Sequence, residues 1–240
     1  MQYNSHASQQ DCVSEVLRIC KASLGKYPLV DITRRFNFAL DQYHDLAFKA
    51  NGKWSFDDIN HSNPPIDTQN LVSGTNKYKI SSFTEKLFIA LKIEVLASNG
   101  NATPLILESF SDLDRQGLSF NDAYSTSITG TPTHMMKLGD FIYLRPTPSY
   151  NLTGALKAYF DRPASYMTTS DTTKVPGVPS IHHEYLCQVA AQPYLDENNM
   201  GNRVSNMNNI LSWESKISRH FAMREKPQSR GLRALSESNK

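Results

Sequence analysis

Three groups of side chains in this sequence are of the types that catalysis or ligand binding uses. Asp57 and Asp58 with His61 could serve as an acid/base or metal cluster, His182-His183-Glu184 could open a zinc motif, and Trp54 with Phe56 offers rings that stack on a base or sugar. Each meets a geometric objection. Adjacent carboxylates in an extended segment point to opposite faces, so Asp57 and Asp58 do not share one ligand. Zinc-binding histidines on a helix stand three or four residues apart, whereas neighbouring positions diverge by about 100°. The spacing therefore predicts a turn at a strand end for Asp57 to His61, and a helix start with one buried and one exposed histidine at 182–183. Trp54 and Phe56, two apart, are expected to share a strand face and fill a sandwich core. No G-x-S-x-G elbow, Walker lysine loop or G-x-G-x-x-G turn occurs. The residues alone point to no catalytic residue, no metal and no cofactor, and favour a structural protein.

Cys12, Cys20 and Cys187 are an odd number without C-x-x-C spacing, which fits reduced thiols in a cytosol better than a disulfide framework or a zinc site. The polar start is not that of a signal peptide, and apolar runs such as Leu87 to Leu91 are far shorter than the roughly 18 residues of a membrane span. No membrane role is expected.

Apolar residues with glycine and without tyrosine are scarce for a globular chain of 240 residues, while Phe, Trp and Tyr together supply 24 large rings. Such a chain folds, but with a thin core that gains from surface buried against neighbours. The net charge of +2 hides an asymmetry. From Glu214 to Lys240 there are seven Lys or Arg against three acids, and the preceding 213 residues carry 18 basic and 20 acidic side chains. A basic tail thus follows a neutral body.

The periodicity places two amphipathic helices first. Cys12, Val13, Val16, Leu17 and Cys20 share a face within Gln9 to Ser23; Ile32, Phe36, Leu40, Tyr43 and Ala47 share one from Ile32 to Ala50, with Asp31 as N-cap. From Gly52 the pattern turns to short strands. Lys53 to Asp57 alternates, as do segments around Asn70 to Val72 and Tyr78 to Ile80. A hairpin joins Leu87–Leu96 to Ala102–Leu107 through Asn99-Gly100, and a second joins Thr133–Lys137 to Phe141–Arg145. A brief helix over Ser111–Gln116, capped by Ser111 or Asp112, interrupts them, and Ala155–Phe160 adds a last strand. After Arg162-Pro163 helices return: one from Ser180 to about Glu197, which Pro193 should kink or end, and one from Arg203 to about Lys226 carrying Val204, Met207, Ile210, Leu211, Trp213 and Ile217. The fold class is α+β: a helical module built from both chain ends (1–51 and 164–226), an inserted antiparallel β-sandwich of six to eight strands (52–163), and an extended C-terminal arm (227–240).

One set of segments is distinctive together: Trp54-Ser-Phe-Asp-Asp58, Asn70-Leu-Val-Ser-Gly74 with Tyr78, Gly130-Thr-Pro-Thr-His134, Gly139 to Pro148, Leu156 to Pro163, and Thr169 to Gly177 followed by His183 and Leu186. Over about residues 30–220 the sequence resembles the head-to-tail adaptor proteins of short-tailed bacteriophages. That resemblance implies a noncatalytic virion protein of the tail and neck, assembled in the host cytoplasm. It implies a homo-oligomeric ring of twelve copies beneath the portal protein, linking it to tail nozzle and tail fibre proteins. Double-stranded DNA would pass through the ring without specific binding. The family's C-terminal segment embraces the portal, a role that here falls on Arg224, Lys226, Arg230, Leu232, Arg233 and Leu235.

Two other classes compete. A carbohydrate- or receptor-binding sandwich of a tail fibre needs an exposed aromatic platform, with Trp54 or Tyr159 facing solvent and Tyr150 and Tyr166 nearby. A cell-wall hydrolase needs two carboxylates, or a nucleophile and base, converging in a cleft.

Overall fold

A computed structural model describes residues 1–5, 10–50, 56–83 and 89–223, with backbone alone for 89–91. Along the chain come helices α1 (Cys12–Cys20) and α2 (Leu29–Lys49), then strands β1 (Ile66–Leu71), β2 (Lys77–Lys79), β3 (Ile89–Leu96), β4 (Ala102–Pro104) and β5 (Ile106–Leu107). Two short helices, α3 (Phe110–Gln116) and α4 (Phe120–Ala123), precede strands β6 (Thr129–Gly130), β7 (His134–Leu138), β8 (Phe141–Arg145), β9 (Thr147–Pro148) and β10 (Leu152–Asp161). Helices α5 (His183–Glu197) and α6 (Arg203–Ala222) follow. The fold is mixed α+β with helices at both chain ends. It divides into two compact units, residues 1–62 with 163–240, and residues 63–162.

In the first unit α5 is the central element. His183, Tyr185 to Gln192 and Leu195 are buried, so it shows no single apolar stripe. Such a helix is covered on most sides by neighbours; α1, α2 and α6 all pack against it. Helix α5 runs to Glu197, the expected end, with Pro193 inside it. An interior proline costs a helix ~3 kcal/mol, but the turn beyond it is held by burial of Leu195 and by Tyr194, which stacks on Tyr27 at 4.7 Å. Asp11 caps α1, its carboxylate accepting from Ser14 N at 2.9 Å. Helix α2 begins at Leu29, one turn before the predicted start: Pro28 supplies the extended entry, and Asp31 lies inside the first turn, paired with Arg34 at 3.0 Å.

Phe56 lies in this helical core, not in the sandwich. Its ring meets Tyr43, His44 and Phe221 at centroid distances of 5.6, 4.8 and 5.3 Å. The predicted strand at 53–57 is absent where it is described, since Phe56 to Asp58 are irregular, and Trp54 lies outside the described residues. A five-residue alternation without a pairing partner does not hold a strand against an aromatic cluster that takes one of its rings.

The second unit is a sandwich of two four-stranded sheets, ordered β1-β10-β3-β4 and β2-β8-β7-β5, with β6 and β9 paired beside them. Pairing is antiparallel except for β5 with β7 and β6 with β9. The predicted hairpin of β7 and β8 is present, with Leu138 facing Phe141; that of β3 is present near its turn, where Val95 faces Thr103, but its second arm ends at Pro104, and Ile106–Leu107 pair with β7 in the other sheet. Gly100, with φ of 82°, takes the left-handed angle the first turn needs. The shared core draws Leu71, Ile93, Val95, Leu156, Ala158 and Phe160 from one sheet and Tyr78, Ile142 and Leu144 from the other. On β8 the alternation is plain, because Tyr143 points away from Ile142 and Leu144 into a second cluster with Leu113, Phe120, Tyr124 and Met136.

That second cluster is the surface α3 and α4 cover. Helix α3 starts at Phe110 and its cap is Ser109, not Ser111 or Asp112: Ser109 Oγ accepts from Asp112 N, and Asp112 Oδ2 accepts from Ser109 N at 2.8 Å. Helix α4, absent from the sequence reading, has the same chemistry, with Ser119 Oγ accepting from Asp122 N at 3.2 Å.

Candidate interaction surface

The residues singled out for chemistry are structural. Asp58 is buried, and its carboxylate accepts from Asn60 N at 2.9 Å and from Ser165 N at 3.1 Å, with His44 Nε2 at 4.0 Å. It lies so close over Gly177 that a Cβ there would sit 1.5 Å from Asp58 Oδ1, while Ile59 N donates to Gly177 O. Asp58 thus latches three stretches of chain. His61 Nε2 donates to the carbonyl of Pro163 at 3.1 Å.

His182 and His183 are both buried, where one was expected to be exposed. They enter a helix covered on several sides. His182 Nδ1 is 2.7 Å from the Tyr43 hydroxyl. His183 Nε2 donates to Val178 O at 3.1 Å, and its Nδ1 accepts from the Met1 amino group at 2.8 Å, an arrangement that uses the neutral ring. Burial first, and the Met1 ammonium second, push its pKa down. The three cysteines are free and buried; burial pushes the Cys20 thiol up to about 12, so it is no ready nucleophile. Among the described residues no three His, Cys, Asp or Glu side chains converge to hold a metal, and no helix is long and apolar enough to cross a membrane.

The buried charge of the sandwich is also structural. Glu108 accepts from Arg145 Nη2 at 2.6 Å and from the Tyr124 hydroxyl at 2.8 Å, tying α4 and β8 to the segment before α3. Of the rings that could form a platform, Tyr159 donates to Glu94 at 2.8 Å and Tyr150 to Leu96 O at 2.8 Å. Tyr166 belongs to the other unit. The three rings therefore form no single array within one unit.

What remains are apolar surfaces facing solvent. On the helical unit, Val30 and Phe38 of α2 are 68% and 54% exposed, and Val204, Met207 and Leu211 of α6 are 63%, 40% and 56% exposed. The sequence reading counted the α6 trio with the inward stripe. The inward residues are Asn206, Ile210, Ile217 and Phe221, and the trio forms a second stripe about 100° around the helix. The signal was present in an apolar arc too wide for one contact. On the sandwich, Ile106, Leu107 and Phe110 are exposed at the edge strand β5 and the start of α3. The arm residues Arg224, Lys226, Arg230, Leu232, Arg233 and Leu235 lie outside the described residues.

The segments that carry the adaptor resemblance coincide with the latches: Asp58, Gly177 and His183 in the helical unit, and Tyr78 in the sandwich, whose hydroxyl accepts from Val72 N and donates to Thr75 O, both at 3.0 Å. Arg162, donating to Asn63 O, closes the sandwich where the chain enters and leaves it. No curated protein matches the chain. The family model described as SU10 adaptor protein matches residues 11–233, spanning both units and nearly the whole chain. On the extent of that match, this chain belongs to the SU10 adaptor protein family of bacteriophage adaptors.

Proposed function

We propose that this chain is a noncatalytic head-to-tail adaptor that assembles as a ring of twelve copies beneath the portal, in the tail and neck of the virion. The observation that carries the reading is the extent of the family match, which runs to residue 233 and so takes in Arg224, Lys226, Arg230, Leu232 and Arg233 along with both folded units. The basic segment is thus part of the adaptor pattern, and its role is to bind the portal.

The physical case has three parts. Ring subunits meet through two different patches on each copy, and the helical unit exposes apolar side chains on two of its helices. A basic arm is steered to an acidic partner surface over a range of about 8–10 Å in physiological salt. A body close to neutral offers few phosphate contacts that would hold passing DNA. The sandwich unit is the part that meets the nozzle or fibres, and assembly takes place in the host cytoplasm.

The test is a truncation. A chain ending at Lys226 should keep its folded body, read by far-ultraviolet circular dichroism, and lose co-sedimentation with portal rings. Undiminished co-sedimentation would remove the portal-binding role from the arm.

A further inference from the structure

Helix α2 and the segment after Tyr166 form a preformed groove. Asn37 bolts the two together, donating to Met167 O at 2.9 Å and accepting from Met167 N at 2.8 Å. Tyr166 forms one wall, its hydroxyl donating to Asp41 at 2.8 Å and its carbonyl accepting from Lys174 Nζ. Val30 and Phe38 form the apolar floor of a groove of about 590 Å³, with Arg34 between them and Asp41 beyond. Along α2, Val30 to Phe38 spans ~12 Å. Val30 and Phe38 lie on the opposite side of α2 from Ile32, Phe36, Leu40 and Tyr43, which face the core, and among the described residues they remain exposed.

The same chain carries a helix face of matching form. Val204, Met207 and Leu211 follow the i, i+3, i+7 pattern by which a helix anchors in an apolar groove, and they span ~10 Å. From Val204 to Trp213 no side chain is charged, which suits the centre of a protein interface. Charges return at the two ends, Arg203 and Glu214. The groove bears Arg34 towards the start of α2 and Asp41 towards its middle. Arg34 is already paired with Asp31 at 3.0 Å, and Glu214 lies against Tyr185 of its own core, so the end of the groove open to an ion pair is Asp41. Laid antiparallel to α2, an incoming α6 brings Arg203 to Asp41; laid parallel, it carries Arg203 away from it.

We infer that the α6 face Val204, Met207 and Leu211 of one copy seats antiparallel in the α2–Tyr166 groove of the next copy. The occupant is a second copy because one chain holds both the groove and a face of fitting length, spacing and charge, on separate helices. Two different patches per copy make the contact heterologous, so it propagates from copy to copy until closure. This rests on the ring reading above and names its subunit contact.

The test is a cross-link between copies. A chain carrying both Phe38→Cys and Val204→Cys, which the antiparallel seating brings together, is assembled on portal rings and separately concentrated alone, oxidised mildly and run on a denaturing gel. The native cysteines are buried and contribute no background. The expected result is a ladder of two, three, four and more linked copies from the double variant, and monomer from either single variant. A ladder in neither preparation overturns the contact, as does a product that stops at dimers. A second pair guards against misfolding by the cysteine variants: Asp41→Arg should weaken assembly on the portal at least tenfold, and adding Arg203→Asp should restore it. Absence of rescue counts against the seating. The ring reading is judged separately, by the mass of the unmodified assembly. Rings without a ladder sink this contact alone, and a ladder from chains that never close sinks the ring.

Discussion

At the scale of single residues, the side chains that look most reactive in the sequence spend their chemistry on holding the chain together. Asp58 is the clearest instance, because its carboxylate binds the backbone N of Asn60 in its own turn and of Ser165 far along the chain, and leaves no space over Gly177 for a side chain. Gly177→Ala should therefore displace Asp58 and lower the stability of the helical unit by about 3 kcal/mol, at the upper end of the usual cost of overpacking. In an Asp58→Ala background the same change should cost much less, since the clash has gone. Urea denaturation followed by circular dichroism of the four chains measures both effects. His183 gives a pH prediction. Its folded-state pKa is depressed by burial, so the unfolded chain takes up the proton first and stability falls with falling pH. The loss should begin below the ordinary imidazole value of about 6.5 and continue down to the depressed value. His183→Gln should flatten that decline, as read from urea midpoints between pH 7.5 and 5; an unchanged pH slope would remove the protonation penalty from His183.

At the scale of elements, hairpins were the most legible features, because each is specified within a few residues, whereas the caps expected at Asp31 and at Ser111 or Asp112 fall instead at Pro28 and Ser109. Leu138-Gly139-Asp140 between two alternating runs, and Asn99-Gly100 between two others, fix their hairpins locally. Ser109 was overlooked as the cap of α3 because Ser111 and Asp112 offered the same chemistry two residues on. Ser109→Ala should remove the side-chain half of the capping box, leaving the backbone N–H of residue 109 to donate to Asp112, and cost about 1 kcal/mol, whereas Ser111→Ala should cost little. Thermal melts of the two variants distinguish the caps. Less legible were features that depend on distant contacts. The burial of both His182 and His183 follows from α5 being enclosed on several sides. The strands β6 and β9, two residues each, exist through a long-range parallel pairing that no local pattern announces. Phe56 was misread for the same reason: a short alternation favours a strand only if another strand lies alongside.

At the scale of the whole molecule, the chain belongs to a bacteriophage adaptor family, and no three His, Cys, Asp or Glu side chains among its described residues converge to hold a metal. Several of the segments that carry the sequence resemblance are turns and latches of the fold, Asp58 against Gly177 and the Tyr78 hydroxyl on the Val72–Thr75 turn among them. The interaction surface was harder to read. Val204, Met207 and Leu211 obey helical spacing as well as any core stripe, and only the packing of α6 through Ile210, Ile217 and Phe221 reveals that they face solvent. Exposed apolar side chains on two helices, in a chain whose sequence ends in a basic segment, suit a protein completed by its neighbours. The most direct test is the mass of the purified chain in solution and bound to its portal, with negative-stain images of both. The account predicts a monomer that becomes a closed ring of twelve when portal is present. A chain that stays monomeric on the portal, or binds it without closing into a ring, would contradict it.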